Sequence, residues 1–158
     1  MPKGEAQTGP VLSSLFAARK RVFVPKVVGK SSSDMRMPEL RSVAELQSLT
    51  LSPWGIPEFT AQQLSERADG LLTDEALVDV VLAPGVAFTE RCERLGHGKG
   101  YYDSFIAALQ RRRAALGLPP AFCVGLCLDE QVQASVPLSE HDVQLDAVVT
   151  PMRLFVRR

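Results

Sequence analysis

Three apolar segments in the second half of the chain constrain its fold more than any other feature. They are ALVDVVLAP at 76–84, AFCVGLCL at 121–128 and LDAVVTP at 145–151. Nearly continuous apolar strands that alternate with helices are typical of a mostly parallel sheet covered on both faces. The sequence therefore predicts an α/β fold, a three-layer α/β/α Rossmann-like domain with a mostly parallel sheet.

Composition bounds the size of the fold and the kinds of partner. The 158 residues are 46% apolar and 23% charged. A chain of this length buries roughly 70% of the surface that it exposes when unfolded, which is enough for one core. Eighteen Lys and Arg residues balance eighteen Asp and Glu residues, and no segment approaches the length of a membrane helix. We expect a single domain over 1–158 that is a monomer and binds neither nucleic acid nor membrane.

The cysteines and one basic segment bear on the compartment. Cys92, Cys123 and Cys127 are an odd number and form no CxxC pair, which favours a reducing compartment. Cys123 and Cys127 lie in an apolar segment and are expected in the core. Residues 11–21, VLSSLFAARKR, are amphipathic and basic. A surface helix of a cytoplasmic protein is the favoured interpretation, and a mitochondrial targeting helix is the alternative.

The first half of the chain carries weaker signals. Its apolar spacing predicts a helix around Val11–Phe16, and RVFV a strand at 21–24. Serine and turn-forming residues predict a surface loop at 27–40, and the two prolines at 51–59 exclude regular structure there. We further expect a short helix at 43–49 and a solvated acidic connection at 60–76.

The segment RLGHGKGYYD at 94–103 carries the chemistry. Gly96, Gly98 and Gly100 alternate directly before a helix whose apolar positions recur with helical spacing. Glycines let backbone N–H groups approach an anion closely, and a helix N-terminus adds about half a positive charge. Lys99 and Arg94 supply full charges. The spacing matches neither the GxxxxGK[ST] loop nor the dinucleotide fingerprint, so it predicts a phosphate site of another type.

Three carboxylates are candidates for a magnesium ion beside such a phosphate site. Asp103 lies in the first turn of the predicted helix, where a carboxylate either caps the helix or holds the ion. Asp142 and Asp146 precede the third apolar strand. Either could supply a second ligand, and the composition does not choose between them.

Residues 79–103, DVVLAPGVAFTERCERLGHGKGYYD, resemble the signature of the 5-formyltetrahydrofolate cyclo-ligases, also called 5,10-methenyltetrahydrofolate synthetases. Residues 54–57, WGIP, are similar to the W-x-I-P loop of that family. The resemblance extends from about Thr8 to about Thr150. It implies an ATP- and magnesium-dependent closure of 5-formyltetrahydrofolate to 5,10-methenyltetrahydrofolate, with release of ADP and phosphate. Chemistry of this kind depends on alignment and positive charge, and needs no side-chain nucleophile.

The resemblance also implies roles for individual residues. Lys99 and Arg94 would be the catalytic cations, and Asp103 and Asp142 the magnesium ligands. The ATP contacts implied are Arg94, Gly96, Gly98, Lys99, Gly100 and Tyr102. The folate contacts implied are Trp54, His97, Gly98, Lys99, Gly100 and Tyr101.

The chain departs from the family at its N-terminus. Members usually begin with a further basic helix that carries a K-x-x-x-R motif, followed by a strand and an acidic loop. Their absence predicts an uncovered sheet edge and apolar face. It also leaves two alternatives to an active cyclo-ligase: a catalytically impaired folate- or nucleotide-binding module, and a sugar-phosphate-binding domain of similar fold.

Overall fold

A computed structural model of the chain describes residues 7–53 and 55–158. These residues form two compact units. The N-terminal unit comprises Gln7–Lys30 and Asp34–Leu77, and the C-terminal unit comprises Ser31–Ser33 and Val78–Arg158. The single domain expected over 1–158 stays a prediction.

The N-terminal unit combines short helices with two-stranded antiparallel pairs. In chain order the elements are α1 (Gly9–Ala17), β1 (Val22–Phe23), β2 (Lys26–Val27), β3 (Met35–Arg36), β4 (Glu39–Leu40), α2 (Val43–Ser48), β5 (Thr50–Leu51), β6 (Pro57–Glu58) and α3 (Ala61–Ser65). The pairs are β1 with β4, β2 with β3, and β5 with β6.

A small apolar core holds these elements together. Val22, Leu40, Leu49 and Phe59 are buried in one cluster. Partly buried side chains from three helices pack against it, namely Leu12, Leu15, Phe16, Leu46 and Leu64. Side-chain caps define the starts of the two shorter helices: Ser42 accepts a hydrogen bond from the N–H of Glu45, and Thr60 forms a capping box with Gln63.

Asp69 is a buried carboxylate that orders the end of this unit. Its side chain is 3% exposed and accepts hydrogen bonds from Arg36 Nε at 2.7 Å and from the N–H groups of Met37, Leu71 and Leu72. Burial alone would raise the pKa of Asp69, but these four donors outweigh it and hold the pKa below its ordinary value. The predicted acidic connection therefore contains an ordered turn around an ionised carboxylate.

The C-terminal unit is built on a four-stranded sheet in the order β13-β12-β10-β7. The strands β7, β10 and β12 are parallel, and β13 is antiparallel at the edge. A second, three-stranded sheet has the order β11-β8-β9. The elements are β7 (Val80–Ala83), β8 (Ala87–Thr89), β9 (Arg94–Leu95), α4 (Tyr101–Ala115), β10 (Phe122–Leu126), β11 (Val132–Gln133), β12 (Ala147–Val149) and β13 (Leu154–Val156), with a 3₁₀ turn at Asp129–Gln131. Another 3₁₀ turn, Asp74–Ala76, precedes β7 in the chain and belongs to the N-terminal unit.

Hydrogen bonds join α4 to the end of the sheet opposite the glycine loop. Gln110 bonds the backbone of Ala121 in both directions. Arg113 is buried and donates to the carbonyls of Val78 and Pro119 and to Asp79. Arg113 therefore anchors the C-terminal part of α4 to the segments that precede β7 and β10.

The two faces of the main sheet differ in exposure. Val81 and Cys123 are buried, whereas Val80 and Phe122, which point the other way, are 53% and 48% exposed. Within the part of the chain that the structure describes, the second face is therefore not fully covered. The three-layer arrangement expected from the sequence stays a prediction.

The second half of the chain folds largely as its sequence predicts. The three apolar strands and the helix after the glycines are confirmed, as are α1 and α2. Two expectations for the first half are wrong: 27–40 and 51–59 contain paired two-residue strands. Such strands are specified by their partners across the fold and leave little signal in local sequence. Among the described helices, none is both long and apolar enough to cross a membrane.

Candidate functional site

The glycine loop lies between β9 and α4 and leads into an N-terminus of α4 that no side chain caps. Gly98 has φ +78° and Gly100 has φ +67°, the left-handed region that side chains other than glycine disfavour. Gly100 is the N-cap of α4 and offers no side chain to its N–H groups. The first N–H groups of a helix have no partner within the helix. The end of α4 therefore has the geometry and dipole of an anion site.

The charged and ring side chains of the loop point outward. Lys99 and His97 are exposed, and in residues 7–53 and 55–158 no hydrogen bond or ion pair holds either side chain. An exposed ammonium in a glycine loop has its full charge free for a ligand. Both side chains are therefore accessible to a phosphate or a folate.

Arg94, in contrast, lies beneath the loop. Its side chain is 4% exposed, with Nη2 2.7 Å from Oδ2 of Asp103 and Nη1 donating to the carbonyl of Pro84 at 3.0 Å. Its Nε is buried and has no partner among the described residues. The structure thus brings Arg94 to the predicted site but engages its charge with protein groups.

Asp103 links the loop to the segment before β12. Its second oxygen, Oδ1, accepts a hydrogen bond from the N–H of Val143 at 3.0 Å. Asp142 directly precedes Val143 in the chain. This hydrogen bond therefore holds the segment that carries Asp142 against the start of α4, where Asp103 lies. The Oδ2 of Asp142 accepts the N–H of Ser139 at 2.6 Å.

Asp146, the alternative to Asp142, is committed elsewhere. Its Oδ2 accepts the N–H of Cys123 at 2.8 Å, and its Oδ1 pairs with Arg157. Both oxygens thus brace β10 and the C-terminal end of the chain. The geometry favours Asp142, which sequence reasoning alone did not separate from Asp146.

The two tyrosines begin α4 directly after the loop. Burial raises the pKa of Tyr102 to about 12, although the Arg94 charge opposes this shift. The Tyr102 phenol therefore stays neutral near pH 7 and can act only as a hydrogen-bonding or stacking group. Tyr101 is partly buried at the helix start.

Sequence reasoning missed three groups at the site. The carbonyl of Pro84 and the N–H of Val143 hold the Arg94–Asp103 pair, and both are backbone groups that carry no sequence signal. Ser32 is the third: a Cβ placed on Gly100 would lie 3.6 Å from the Cβ of Ser32. We expected a surface loop at Ser32, and its position against Gly100 depends on the tertiary fold.

The predicted aromatic of the folate pocket, Trp54, lies outside the described residues. Its neighbours β5 and β6 form a hairpin in the N-terminal unit. A hollow of about 170 Å³ opens beside this hairpin and is lined by Thr50, Leu51, Ser52, Glu58, Phe59 and Thr60.

The other reactive side chains among the described residues do not form a second centre. Burial raises the pKa of Cys123 and of Cys127 to about 11, so both are inert core thiols, as expected. His141 is exposed and lies 3.4 Å from Glu140. In the described ranges, no three His, Cys, Asp or Glu side chains lie together as a metal cage requires.

Comparisons with known proteins give this site a family. The sequence model of the 5-formyltetrahydrofolate cyclo-ligase family matches residues 1–151. The chain belongs to this family. A cyclo-ligase relative from Schizosaccharomyces pombe, named a probable 5-formyltetrahydrofolate cyclo-ligase, is 36% identical over 161 residues, which cover 98% of this chain and 72% of the relative. The 5-formyltetrahydrofolate cyclo-ligase of Saccharomyces cerevisiae is 35% identical, over 94% of this chain and 71% of that protein.

A solved structure supports the same cyclo-ligase assignment. The 5,10-methenyltetrahydrofolate synthetase of Aquifex aeolicus superposes with a TM-score of 0.65 at 28% identity, covering 100% of this chain and 69% of that one. The mixed α/β fold with its largely parallel sheet is therefore shared with a protein of the predicted family. The family is one of enzymes, as the resemblance of the glycine motif implied.

Proposed function

We propose that this chain catalyses the ATP- and magnesium-dependent cyclisation of 5-formyltetrahydrofolate to 5,10-methenyltetrahydrofolate. The observation that carries the proposal is the glycine loop: in a cyclo-ligase family member, the exposed, unpaired Lys99 stands beside the uncapped N-terminus of α4. This arrangement suits the phosphates of ATP. The loop also lies next to Asp103, which a hydrogen bond joins to the segment that carries Asp142. Two neighbouring carboxylates suit a nucleotide that binds together with magnesium.

The reaction balances without a nucleophile from the protein. The formyl oxygen attacks the γ-phosphorus of ATP, and the bond to the bridging oxygen breaks to release ADP. N10 of the folate then forms a bond to the activated formyl carbon and loses its proton, while the C–O bond breaks and phosphate departs. Both steps separate or move negative charge on oxygen, so fixed positive groups accelerate them.

Within this proposal, Lys99 contacts the phosphate oxygens directly. The N–H groups of Gly98, Gly100 and the first turn of α4 surround them, while Gly96 and Tyr102 complete the nucleotide contacts. Arg94 contributes its charge from beneath the loop, because protein groups cover its guanidinium. The exposed Lys99 side chain can move with the negative charge of the transferred phosphate. The buried Arg94 instead raises the electrostatic potential of the loop from a fixed position.

Of the two carboxylates that the resemblance assigns, Asp142 is the one that fits magnesium. Its Oδ1 accepts no hydrogen bond from the described residues, so it would hold the ion, whereas both oxygens of the adjacent Asp103 accept hydrogen bonds from protein groups. One or two carboxylates suffice, because magnesium keeps several waters and takes its other ligands from phosphate. When bound, the ion neutralises phosphate charge. The residues of this chain orient the phosphates around it.

The folate side of the proposal rests on His97–Tyr101 and on Trp54. His97 is exposed and holds no partner among residues 7–53 and 55–158, so its imidazole is available to a substrate group. Gly98, Lys99 and Gly100 would present backbone to the same ligand. We propose that Trp54 borders the pterin or aminobenzoyl ring, which an indole can stack against.

We also propose the finer architecture and setting. The parallel strands β7, β10 and β12 and the long helix α4 support a three-layer Rossmann-like arrangement, in which a further layer would cover the exposed side chains of Val80 and Phe122. The buried, unreactive thiols of Cys123 and Cys127 suit the reducing cytoplasm. The alternative is the mitochondrion: a relative from Arabidopsis thaliana, 32% identical over 93% of this chain and 54% of its own length, is named a mitochondrial cyclo-ligase.

We propose a monomer that acts on small molecules and binds neither nucleic acid nor membrane.

The test is a turnover assay of the purified chain with 5-formyltetrahydrofolate and MgATP, following methenyltetrahydrofolate by absorbance. Product formation that requires both ATP and magnesium and falls in Lys99→Ala supports the proposal. Binding of ATP and folate without product would instead identify a binding module. Stabilisation by sugar phosphates with indifference to folates would identify a sugar-phosphate domain.

A further inference from the structure

We infer that Asp103 is a positioning residue, which locks Arg94 beneath the glycine loop and fixes the Asp142–Val143 peptide beside the loop. The inference deepens the proposed function, on which it rests. It assigns Asp103 a task that does not involve contact with substrate or metal.

The geometry joins four separate segments at one point. Arg94 in β9 reaches the carbonyl of Pro84 after β7 and the carboxylate of Asp103 in α4. Asp103 in turn receives the N–H of Val143, which is 40 residues away in sequence. Each oxygen of Asp103 thus accepts one directed hydrogen bond, and the orientation of the carboxylate is defined by both.

Burial makes this arrangement obligatory. The side chains of Arg94 and Asp103 are 4% and 13% exposed. An arginine this deeply buried needs a charged partner, because an unpaired buried charge is strongly unfavourable. In the described residues Asp103 is the one carboxylate paired with Arg94. If the carboxylate turned toward a ligand, it would leave the guanidinium without compensation.

The charge of the pair also argues against Asp103 as the principal metal ligand. The guanidinium at 2.7 Å compensates the carboxylate charge, which weakens its attraction for a cation. Among the described residues, no cation is paired with Asp142, and one of its oxygens stays open to the metal. Asp103 therefore places Asp142, and Asp142 meets the ion.

The first measurement separates positioning from metal ligation: ATP affinity of the 158-residue chain in EDTA, with magnesium removed. A positioning role predicts that Asp103→Asn and Arg94→Met each weaken metal-free ATP binding by about tenfold, the lower end of losses seen when a supporting contact is removed. The double variant should be no weaker than either single variant, because each breaks the same pair. Normal metal-free affinity in Asp103→Asn, with loss confined to magnesium, would overturn the inference.

The second measurement needs neither nucleotide nor turnover. No hydrogen bond joins Arg94 to Val143 among the described residues, yet Arg94→Met should accelerate deuterium exchange at the Val143 amide, because the carboxylate that accepts this N–H loses its anchor. Arg94→Lys, which keeps the charge but loses the planar fork, serves if the Met variant does not fold. Unchanged Val143 exchange in a folded Arg94 variant also overturns the inference.

The matched control is Asp79→Asn, which breaks the ion pair of a second buried arginine, Arg113 of α4. It should leave Val143 exchange and ATP affinity unchanged. If the wild-type chain binds no ATP, the proposed function fails, while the exchange measurement still decides whether Asp103 positions these segments.

Discussion

Gly96 lies directly over the guanidinium of Arg94. A Cβ placed on Gly96 would be 2.9 Å from Nη1 of Arg94, closer than a carbon and a nitrogen can approach. The same Nη1 donates to the carbonyl of Pro84. A side chain at position 96 must therefore displace the Arg94 guanidinium, whereas Gly98 and Gly100 adopt the left-handed backbone that glycine favours.

Gly96→Ala should destabilise the chain by displacing Nη1 from the Pro84 carbonyl, at a cost of about 1–2 kcal/mol. Urea unfolding measures the change. The control is the same substitution in an Arg94→Met background, where the clashing atom is gone and the cost should shrink. An equal cost in both backgrounds would show that the methyl group meets something other than Arg94.

Gly98→Ala and Gly100→Ala should each cost about 1–2 kcal/mol through backbone strain alone. No atom lies within 4 Å of a Cβ at Gly98, and the contact at Gly100 is an ordinary 3.6 Å. Asn should restore part of the loss at either position, because Asn tolerates the left-handed region.

Lys99→Ala should raise the KM for ATP tenfold or more, since it removes the exposed cation nearest the helix end. Its effect on unfolding should stay within about 0.5 kcal/mol, as expected for a surface side chain without partners. Lys20→Ala, at another exposed lysine, should alter neither quantity. If the melting temperature and activity of Lys99→Ala fall together, Lys99 has a structural role instead.

Asp142→Asn should increase the magnesium concentration needed for half-maximal activity. The Asn side chain can still accept the N–H of Ser139, so the local turn survives and only the charge and the open carboxylate oxygen are lost. The neighbouring, 85% exposed Glu140 gives the control Glu140→Gln. A magnesium titration that is unchanged in Asp142→Asn would remove this residue from the ligand set.

Asp69→Asn should destabilise the chain and flatten its acid-unfolding curve. The folded-state pKa of Asp69 lies below the unfolded value, so its stabilisation is complete above the unfolded-state pKa of about 4 and is lost as the pH falls through the folded-state value. Removing the charge of a buried carboxylate with four donors should cost about 2–4 kcal/mol at pH 7. Circular dichroism between pH 7 and pH 2 measures both effects, with exposed Glu66→Gln as control; parallel acid limbs for Asp69→Asn and wild type would contradict the prediction.

The sequence predicts long elements and the glycine loop well because their signals are local. Apolar runs define β7, β10 and β12, and helical spacing defines α4. The roles of Arg94 and Asp69 could not be predicted, because each is buried among partners that only the fold brings together. Arg94 pairs with Asp103, which in turn accepts the N–H of Val143, and Asp69 pairs with Arg36. A charged residue in a motif rich in glycine suggests a ligand contact, and only the fold shows that Arg94 lies below the loop while Lys99 lies above it.

Because its natural thiols are buried, this cyclo-ligase family member is suited to selective labelling at an introduced cysteine. Cys92, Cys123 and Cys127 are all buried, and burial raises the pKa of each thiol. Maleimide dyes react with accessible thiolates, so the native fold should give little background labelling. A single cysteine introduced on the loop, as in Lys99→Cys, would then carry a fluorophore at the point where ATP is proposed to arrive, without replacement of any natural cysteine.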